Sequence, residues 1–141
     1  MQDVLQVYYA IDDEIQALPT TVFLQHDEDG EPISVHFEVQ DYRSAPTSCS
    51  ELAVKNLQRA LPSNMKITAC QTCMFGNFNP YGDMDNEIFC LKGFVARNKM
   101  EVCEIIQKAE IHERKRTLLA FCADYKPIDN KAYYTYNDWD I

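Results

Sequence analysis

Residues 20–39 read TTVFLQHDEDGEPISVHFEV, and this stretch decides the fold class. Its second half, residues 33–39, alternates apolar and polar side chains, as in a strand with one buried face. Residues 27–30 form an acidic turn that contains glycine, so the whole stretch predicts a β-hairpin. The alternation places His36 and Glu38 on one face, and it places on the core face Ile33, Val35, Phe37 and Val39.

The elements around this hairpin alternate between strands and helices. Further strands are predicted at residues 6–11, 65–69, 87–94 and 117–125, with a loop at residues 74–86. Ser48 and Glu51 have the spacing of a capping box, and they precede an apolar stripe formed by Ala53, Val54, Leu57, Ala60 and Leu61. A second helix is predicted at residues 99–116, with an inner face of Val102, Ile105, Ile106 and Ala109. This order predicts an α+β fold, a mainly antiparallel sheet with two helices packed on it.

Length and charge restrict the classes of protein that fit. A chain of 141 residues suits one domain, residues 1–141. The first residues lack the pattern of a signal peptide, and no run of 18 apolar residues predicts a membrane span, so we expect a cytoplasmic protein. The net charge of −9 disfavours nucleic acid and anionic lipid as partners and favours a basic protein. The basic residues between 108 and 116 are interpreted as the exposed face and C-terminal cations of the second helix.

Six cysteines, at 49, 70, 73, 90, 103 and 122, carry the chemistry of this sequence. In a reducing compartment their spacing indicates metal binding, redox chemistry or burial rather than disulfides. Cys70 and Cys73 are separated by two residues, and two such thiolates bind one zinc ion at about 2.3 Å each. Cys90 follows on the far side of the loop at residues 74–86, so a structural zinc ion held by these cysteines would order that loop.

The fourth ligand is less well determined by the sequence. Cys103 lies within the second predicted helix, where a cysteine behaves as a small apolar side chain. Cys49 lies in the first turn of the first helix and is equally consistent with packing. Cys122 ends the apolar run of residues 118–121, and we prefer it as the fourth ligand.

Three segments of the chain resemble a family of small uncharacterised bacterial proteins. The segments are Cys70 to Gly82, with its CxxC and Asn79-Pro80-Tyr81-Gly82; residues 87–91, around Cys90; and residues 121–127, around Cys122. The resemblance spans about residues 66–127. It implies that Cys70, Cys73, Cys90 and Cys122 belong together, and it implies no activity.

These observations favour a non-catalytic, zinc-stabilised domain that binds a protein, in the manner of an inhibitor or immunity protein with an acidic surface. The aromatic and acidic tail, residues 133–139, is the candidate contact surface, since Tyr and Trp dominate binding hot spots. Aromatic side chains that fold back onto the core are the alternative for this tail. The rival function is a small zinc hydrolase or deaminase that uses His36, Glu38 and the CxxC motif. We disfavour it because both residues are predicted in mid-strand and Ala69 stands where such enzymes have proline before CxxC.

Overall fold

A computed structural model describes residues 1–82, 87–108 and 110–141 of the chain. These residues form two compact units, Met1–Thr68 with Ile141, and Ala69–Asp140. The predicted α+β class is confirmed, because the described residues form a five-stranded and a three-stranded antiparallel sheet together with two α-helices. The interpretation of residues 1–141 as one domain stays a prediction. No helix in the described part of the chain has both the length and the apolar character needed to cross a membrane.

The first unit is built on the five-stranded sheet. Its strands, in the spatial order β4-β3-β2-β1-β5, are β1 (Gln2–Ile11), β2 (Glu14–His26), β3 (Pro32–Val39), β4 (Tyr42–Arg43) and β5 (Met65–Ile67). All neighbouring strands in this sheet are antiparallel. The sheet buries a set of apolar side chains that includes Val7, Val22 and Phe37.

The connection between β1 and β2 is a hairpin that the sequence did not predict. Asp12 and Asp13 have positive φ angles of 50° and 67°, as a two-residue type I′ turn requires at both central positions. Aspartate tolerates this conformation better than most residues. As a result, β1 and β2 are longer than the strands predicted at residues 6–11 and 20–26.

The predicted hairpin within residues 20–39 is confirmed by the pairing of β2 with β3. Val35, Phe37 and Val39 are buried, as the alternation predicted. The placement of Ile33 on the core face is wrong, since its side chain is 55% exposed. Ile33 lies at the strand end next to a register shift at Gln25 and His26, where the regular pairing is interrupted.

Helix α1 (Ser50–Ala60) packs on β3 and buries Ala53, Val54 and Leu57. The predicted capping box of Ser48 and Glu51 is wrong, because the N-cap residue is Cys49 and its side chain makes no capping hydrogen bond. A polar contact that the sequence did not indicate joins this helix to β5. The buried Gln58 side chain donates to the carbonyl of Met65 (3.0 Å) and accepts from the N–H of Ile67 (2.8 Å).

The second unit combines short elements around a separate core. Its elements are a 3-10 turn (Cys70–Thr72), β6 (Gly76–Asn77), β7 (Glu87–Cys90), helix α2 (Lys99–Lys108), a second 3-10 turn (Ile111–Arg114) and β8 (Lys115–Thr117). The small sheet has the order β6-β7-β8. The core cluster consists of Phe89, Leu91, Ala96, Val102 and Ile106.

Three predicted elements of this unit end earlier than expected, and the first is the strand predicted at residues 87–94, which ends at Cys90. The helix predicted at residues 99–116 stops at Lys108, because the chain must turn so that Lys115 can pair with Phe89 in the small sheet. The strand predicted at residues 117–125 ends at Thr117, and residues 118–126 use their carbonyls to bind the CxxC turn instead of a strand ladder. The predictions for Ala109 and for residues 83–86, part of the predicted loop, lie outside the described residues.

Tyr9 is a fully buried polar side chain in the core of the first unit. Its hydroxyl lies 2.7 Å from the hydroxyl of Thr20. Burial raises the pKa of Tyr9 from 10.0 to about 12, although the hydrogen bond with Thr20 opposes that rise. Between these two pH values the unfolded chain loses the phenolic proton and the folded chain keeps it, so stability falls as the pH rises above 10.

We predict that Tyr9→Phe lowers the free energy of unfolding by about 1 kcal/mol at pH 8, through loss of the hydrogen bond with Thr20. This deficit should shrink at pH 11, because the variant has no buried phenol to keep protonated. Urea denaturation at pH 8, 10 and 11 measures both effects. Tyr81→Phe is the control, since Tyr81 is 79% exposed. Wild-type and Tyr9→Phe curves that fall in parallel above pH 10 would contradict the argument.

Candidate metal centre

The CxxC motif forms a tight turn at the start of the second unit. Cys70–Thr72 is a single 3-10 turn, and the N–H of Cys73 donates to the carbonyl of Cys70 at 3.3 Å. The N–H of Gly76 then donates to the carbonyl of Cys73 at 2.9 Å. These local hydrogen bonds fix the backbone between the two cysteines.

Backbone hydrogen bonds bring the segment that carries Cys122 to this turn. The N–H of Cys70 donates to the carbonyl of Ala120 (2.8 Å), and the N–H of Gln71 donates to that of Leu118 (3.0 Å). Beyond Cys122, the carbonyl of Lys126 accepts from the N–H of Met74 (2.8 Å). Cys122 therefore lies between two attachments to the CxxC turn. It lies on an irregular segment and is exposed, not on the predicted strand.

The small sheet brings Cys90 to the same place. Cys90 ends β7 and is paired directly with Gly76 of β6. The next residue, Leu91, donates its N–H to the carbonyl of Phe75 at 2.9 Å. Two separate segments, those that carry Cys122 and Cys90, are thus joined to the CxxC segment through main-chain hydrogen bonds.

The four predicted ligands line one cavity of about 440 Å³. Cys70, Cys73, Cys90 and Cys122 all contribute to its wall, whereas Cys49 and Cys103 do not. In residues 1–82, 87–108 and 110–141, no three His, Cys, Asp or Glu side chains are grouped so that they could already hold a metal ion. The thiols therefore share the cavity without an assembled ligand geometry, and a metal ion would have to draw them inward.

The electrostatics of the cavity disfavour ionised thiols when no cation is bound. The pKa of Cys70 is raised from 9.0 to about 12, most by desolvation and then by Cys73, Cys122 and Cys90, in that order. Burial also raises the pKa of Cys73, against backbone hydrogen bonds from Lys126 and Phe75 that favour its thiolate. A divalent cation reverses this situation, because it stabilises the thiolates that otherwise repel one another.

Arg114 connects the cavity wall to the backbone of a candidate ligand. Its Nη1 donates to the carbonyls of Cys90 (3.0 Å) and Lys92 (2.9 Å), and its guanidinium lies 4.7 Å from the centre of the Phe94 ring. Since Arg114 lies beyond the end of α2, its interpretation as a C-terminal cation of that helix is wrong.

Two further cations line the same cavity. Arg116 donates to the carbonyls of Glu113 (2.7 Å) and Lys115 (2.9 Å), and its positive charge lowers the pKa of Cys70 against the larger effects of burial and the other thiols. Lys92 forms an ion pair of 2.7 Å with Asp124. Sequence reasoning missed these roles, because only the tertiary structure brings the three cations to the thiols.

Gly76 is a second residue that the sequence did not single out. A Cβ atom at this position would lie 2.0 Å from the carbonyl oxygen of Cys70 and 3.0 Å from Cδ1 of Ile88. Since real Cβ atoms do not approach a backbone oxygen so closely, only glycine allows β6 to lie against the CxxC turn. The glycine signal was present in the sequence, but its contact partner was not.

The remaining candidate residues lie elsewhere. His36 stacks on Phe23 with ring centres 4.6 Å apart, and Glu38 forms an ion pair of 3.4 Å with Arg43. Both belong to the first unit, and neither lines the cavity of the four cysteines. Cys49 also belongs to the first unit, whereas Cys103 is buried in α2.

The aromatic tail folds onto the second unit. Tyr133, Tyr134, Tyr136 and Trp139 are partly buried, and Thr135 is buried. Tyr134 and Tyr136 pack against the core cluster that contains Phe89. These contacts agree with the alternative of aromatic side chains that fold back onto a core. The role of the tail in protein contact stays a prediction.

Comparison of the chain with protein-family models, with curated proteins and with solved structures finds no match. The resemblance to small bacterial proteins therefore stays a prediction.

We predict that Gly76→Ala destabilises the protein by about 3 kcal/mol or more, since the added methyl group meets the backbone of Cys70 and the strand must shift. Urea denaturation measures the change. Gly82→Ala is the matched control, because among the described residues the three atoms nearest to the new Cβ all belong to the Asn79 side chain, the closest at 3.1 Å. Equal stabilities of the two variants would contradict the structural role given to Gly76.

Proposed function

We propose that this chain is a small cytoplasmic zinc-binding domain with a structural site formed by Cys70, Cys73, Cys90 and Cys122. The observation that carries the proposal is the convergence of these four cysteines, from three separate segments, on one cavity. Four thiolates match the tetrahedral coordination of structural zinc sites. The zinc ion would join the CxxC turn, the small sheet and the irregular segment around Cys122.

The state of the cysteines supports the same proposal. All six cysteines are free thiols, so none of the four candidate ligands is held in a disulfide. Burial and the neighbouring thiols oppose ionisation of Cys70 when no metal ion is bound. Zinc binding would displace the thiol protons and couple the binding free energy to folding of the second unit.

We predict that the wild-type protein binds one zinc ion, and that Cys→Ser at position 70, 73, 90 or 122 abolishes stoichiometric binding. Each variant should also lose the increase in melting temperature that zinc gives the wild type. Elemental analysis after gel filtration and thermal unfolding with and without zinc measure these effects.

Cys49→Ser is the matched control for these variants. Cys49 is half-buried like Cys70, but it lies at the N-cap of α1, where serine is a favoured residue. This variant should keep the zinc ion and the full stability. A wild-type protein that binds no zinc, or a Cys49→Ser variant that loses it, would contradict the assignment.

We further propose that the domain acts by binding a basic protein partner through its acidic surface, in the manner of an inhibitor or immunity protein. The charge is distributed unevenly between the units. Residues 1–68 contain 11 acidic and 4 basic residues, a net charge of −7, whereas residues 69–140 contain 11 acidic and 9 basic residues, a net charge of −2. The negative electrostatic field of the first unit accelerates association with a positively charged partner.

No observation favours the rival zinc enzyme, since His36 and Glu38 do not line the cavity.

We predict that charge removal on the first unit weakens partner binding more than the same removal on the second. Glu14→Gln with Glu28→Gln should slow association with a basic partner recovered from the host, and the effect should disappear at high salt. Glu104→Gln with Glu110→Gln is the matched control, with the same change in charge at exposed positions. Surface plasmon resonance at two ionic strengths gives the rates. Equal effects of the two pairs, or recovery of acidic partners alone, would contradict the proposal.

A further inference from the structure

The C-terminal segment, residues 130–139, binds the CxxC turn through specific hydrogen bonds. The Nδ2 atom of Asn137 donates to the carbonyls of Gln71 (2.7 Å) and Gly76 (3.2 Å). Its Oδ1 accepts from the N–H of Trp139 at 3.0 Å. One side-chain amide therefore connects the middle of the CxxC motif to the glycine that lies against it.

Two neighbouring residues extend this attachment. The hydroxyl of Thr135, a buried side chain, donates to the carbonyl of Met74 at 2.5 Å. The N–H of Tyr136 donates to Oδ1 of Asn77 (2.6 Å), and its carbonyl accepts from the N–H of Phe78 (2.9 Å). The segment thus contacts the loop continuously from the CxxC motif to the residue after β6.

The peptide groups of the CxxC turn are divided between two distant parts of the chain. Its N–H groups, at Cys70, Gln71 and Met74, donate to carbonyls of the segment that carries Cys122. Three carbonyl groups of the turn and the residues after it, at Gln71, Met74 and Gly76, accept from the C-terminal segment, whereas the carbonyl of Thr72 accepts from the N–H of Ile128. Because the directions of the Cys70 and Cys73 side chains follow from the backbone of this turn, both attachments set the thiol positions.

We propose that the C-terminal segment is a positioning element of the cysteine site, with Asn137 and Thr135 as its positioning residues. This inference rests on the proposed zinc function. It implies a reciprocal coupling, in which the docked segment strengthens zinc binding and bound zinc stabilises the docked segment. Residues that orient metal ligands affect affinity by about 10- to 100-fold.

Asn137→Asp tests the coupling with little change in shape. The variant keeps the acceptor for the N–H of Trp139 but replaces the two donated hydrogen bonds by a carboxylate that faces two carbonyls. Its added negative charge would by itself favour a cation, so electrostatics cannot account for weaker zinc binding. We expect zinc to bind at least about 10-fold more weakly, and to dissociate faster, in competition with a chromogenic chelator.

Asn130→Asp is the matched control in the same segment. Asn130 accepts from the N–H of Thr135 through Oδ1, which an aspartate retains, and the change in charge is identical. Thr135→Val and Thr135→Ser form a second pair: valine removes the hydroxyl that donates to Met74, and serine keeps it. We expect weaker zinc binding for valine and near wild-type binding for serine.

A protease measures the coupling from the other direction. Chymotrypsin should cleave the C-terminal segment at its tyrosines more slowly in the zinc-loaded wild type than in the zinc-free protein, and zinc should protect Asn137→Asp much less.

If the wild type binds no zinc, the proposed function and this inference both fall. If the wild type binds zinc but Asn137→Asp binds it as tightly as Asn130→Asp, only the inference is overturned. Zinc affinity that falls equally for Thr135→Val and Thr135→Ser would also overturn it.

Discussion

The close approach of Gly76 to the carbonyl of Cys70 is the constraint on which the second unit depends. A side chain at residue 76 would lie 2.0 Å from that oxygen, so β6 can lie against the CxxC turn only because the residue is glycine. This contact places Cys90, the direct pairing partner of Gly76, beside the turn. The small sheet is thereby tied to the CxxC motif, and its three short strands gain a fixed attachment that so few residues could not supply alone.

Charge determines how the thiol cluster behaves once it is assembled. Cys73, Cys122 and Cys90 all oppose ionisation of Cys70, and burial opposes it most. A zinc ion bound by four thiolates would carry two net negative charges, and the cavity wall contains the cations Lys92, Arg114 and Arg116 together with the carboxylates of Glu113 and Asp124. Arg114 and Arg116 are held in its wall by hydrogen bonds to backbone carbonyls, and their charges are positioned before any metal binds. These two cations would therefore favour the ionised, metal-bound cluster that we propose.

The sequence predicted features that depend on local pattern and missed those that depend on distant contacts. Alternation over residues 33–39 identified β3 and its buried face, apart from Ile33 at the strand end. The CxxC spacing identified the turn around which the cavity forms. By contrast, the sequence did not indicate the contacts of Asn137 and Arg114, because an asparagine in an aromatic, acidic tail and an arginine near the end of a predicted helix are common. Their roles arise from carbonyls 61 and 24 residues away. The predicted strand through Cys122 failed for the same reason, since its carbonyls bind the CxxC turn.

The two properties that we propose, zinc binding and partner binding, depend on charged residues in different units. The second unit contains nine of the 13 basic residues, and three of them line the cysteine cavity, where they would partly offset the charge of the metal-bound cluster that we propose. Most of the net negative charge consequently belongs to the first unit. Its acidic residues include those in the exposed turn between β2 and β3, at residues 27–31. A substitution that prevents zinc binding at Cys70 changes none of these carboxylates. Partner binding that fails in such a variant would therefore report the folding of the second unit and not the field of the first.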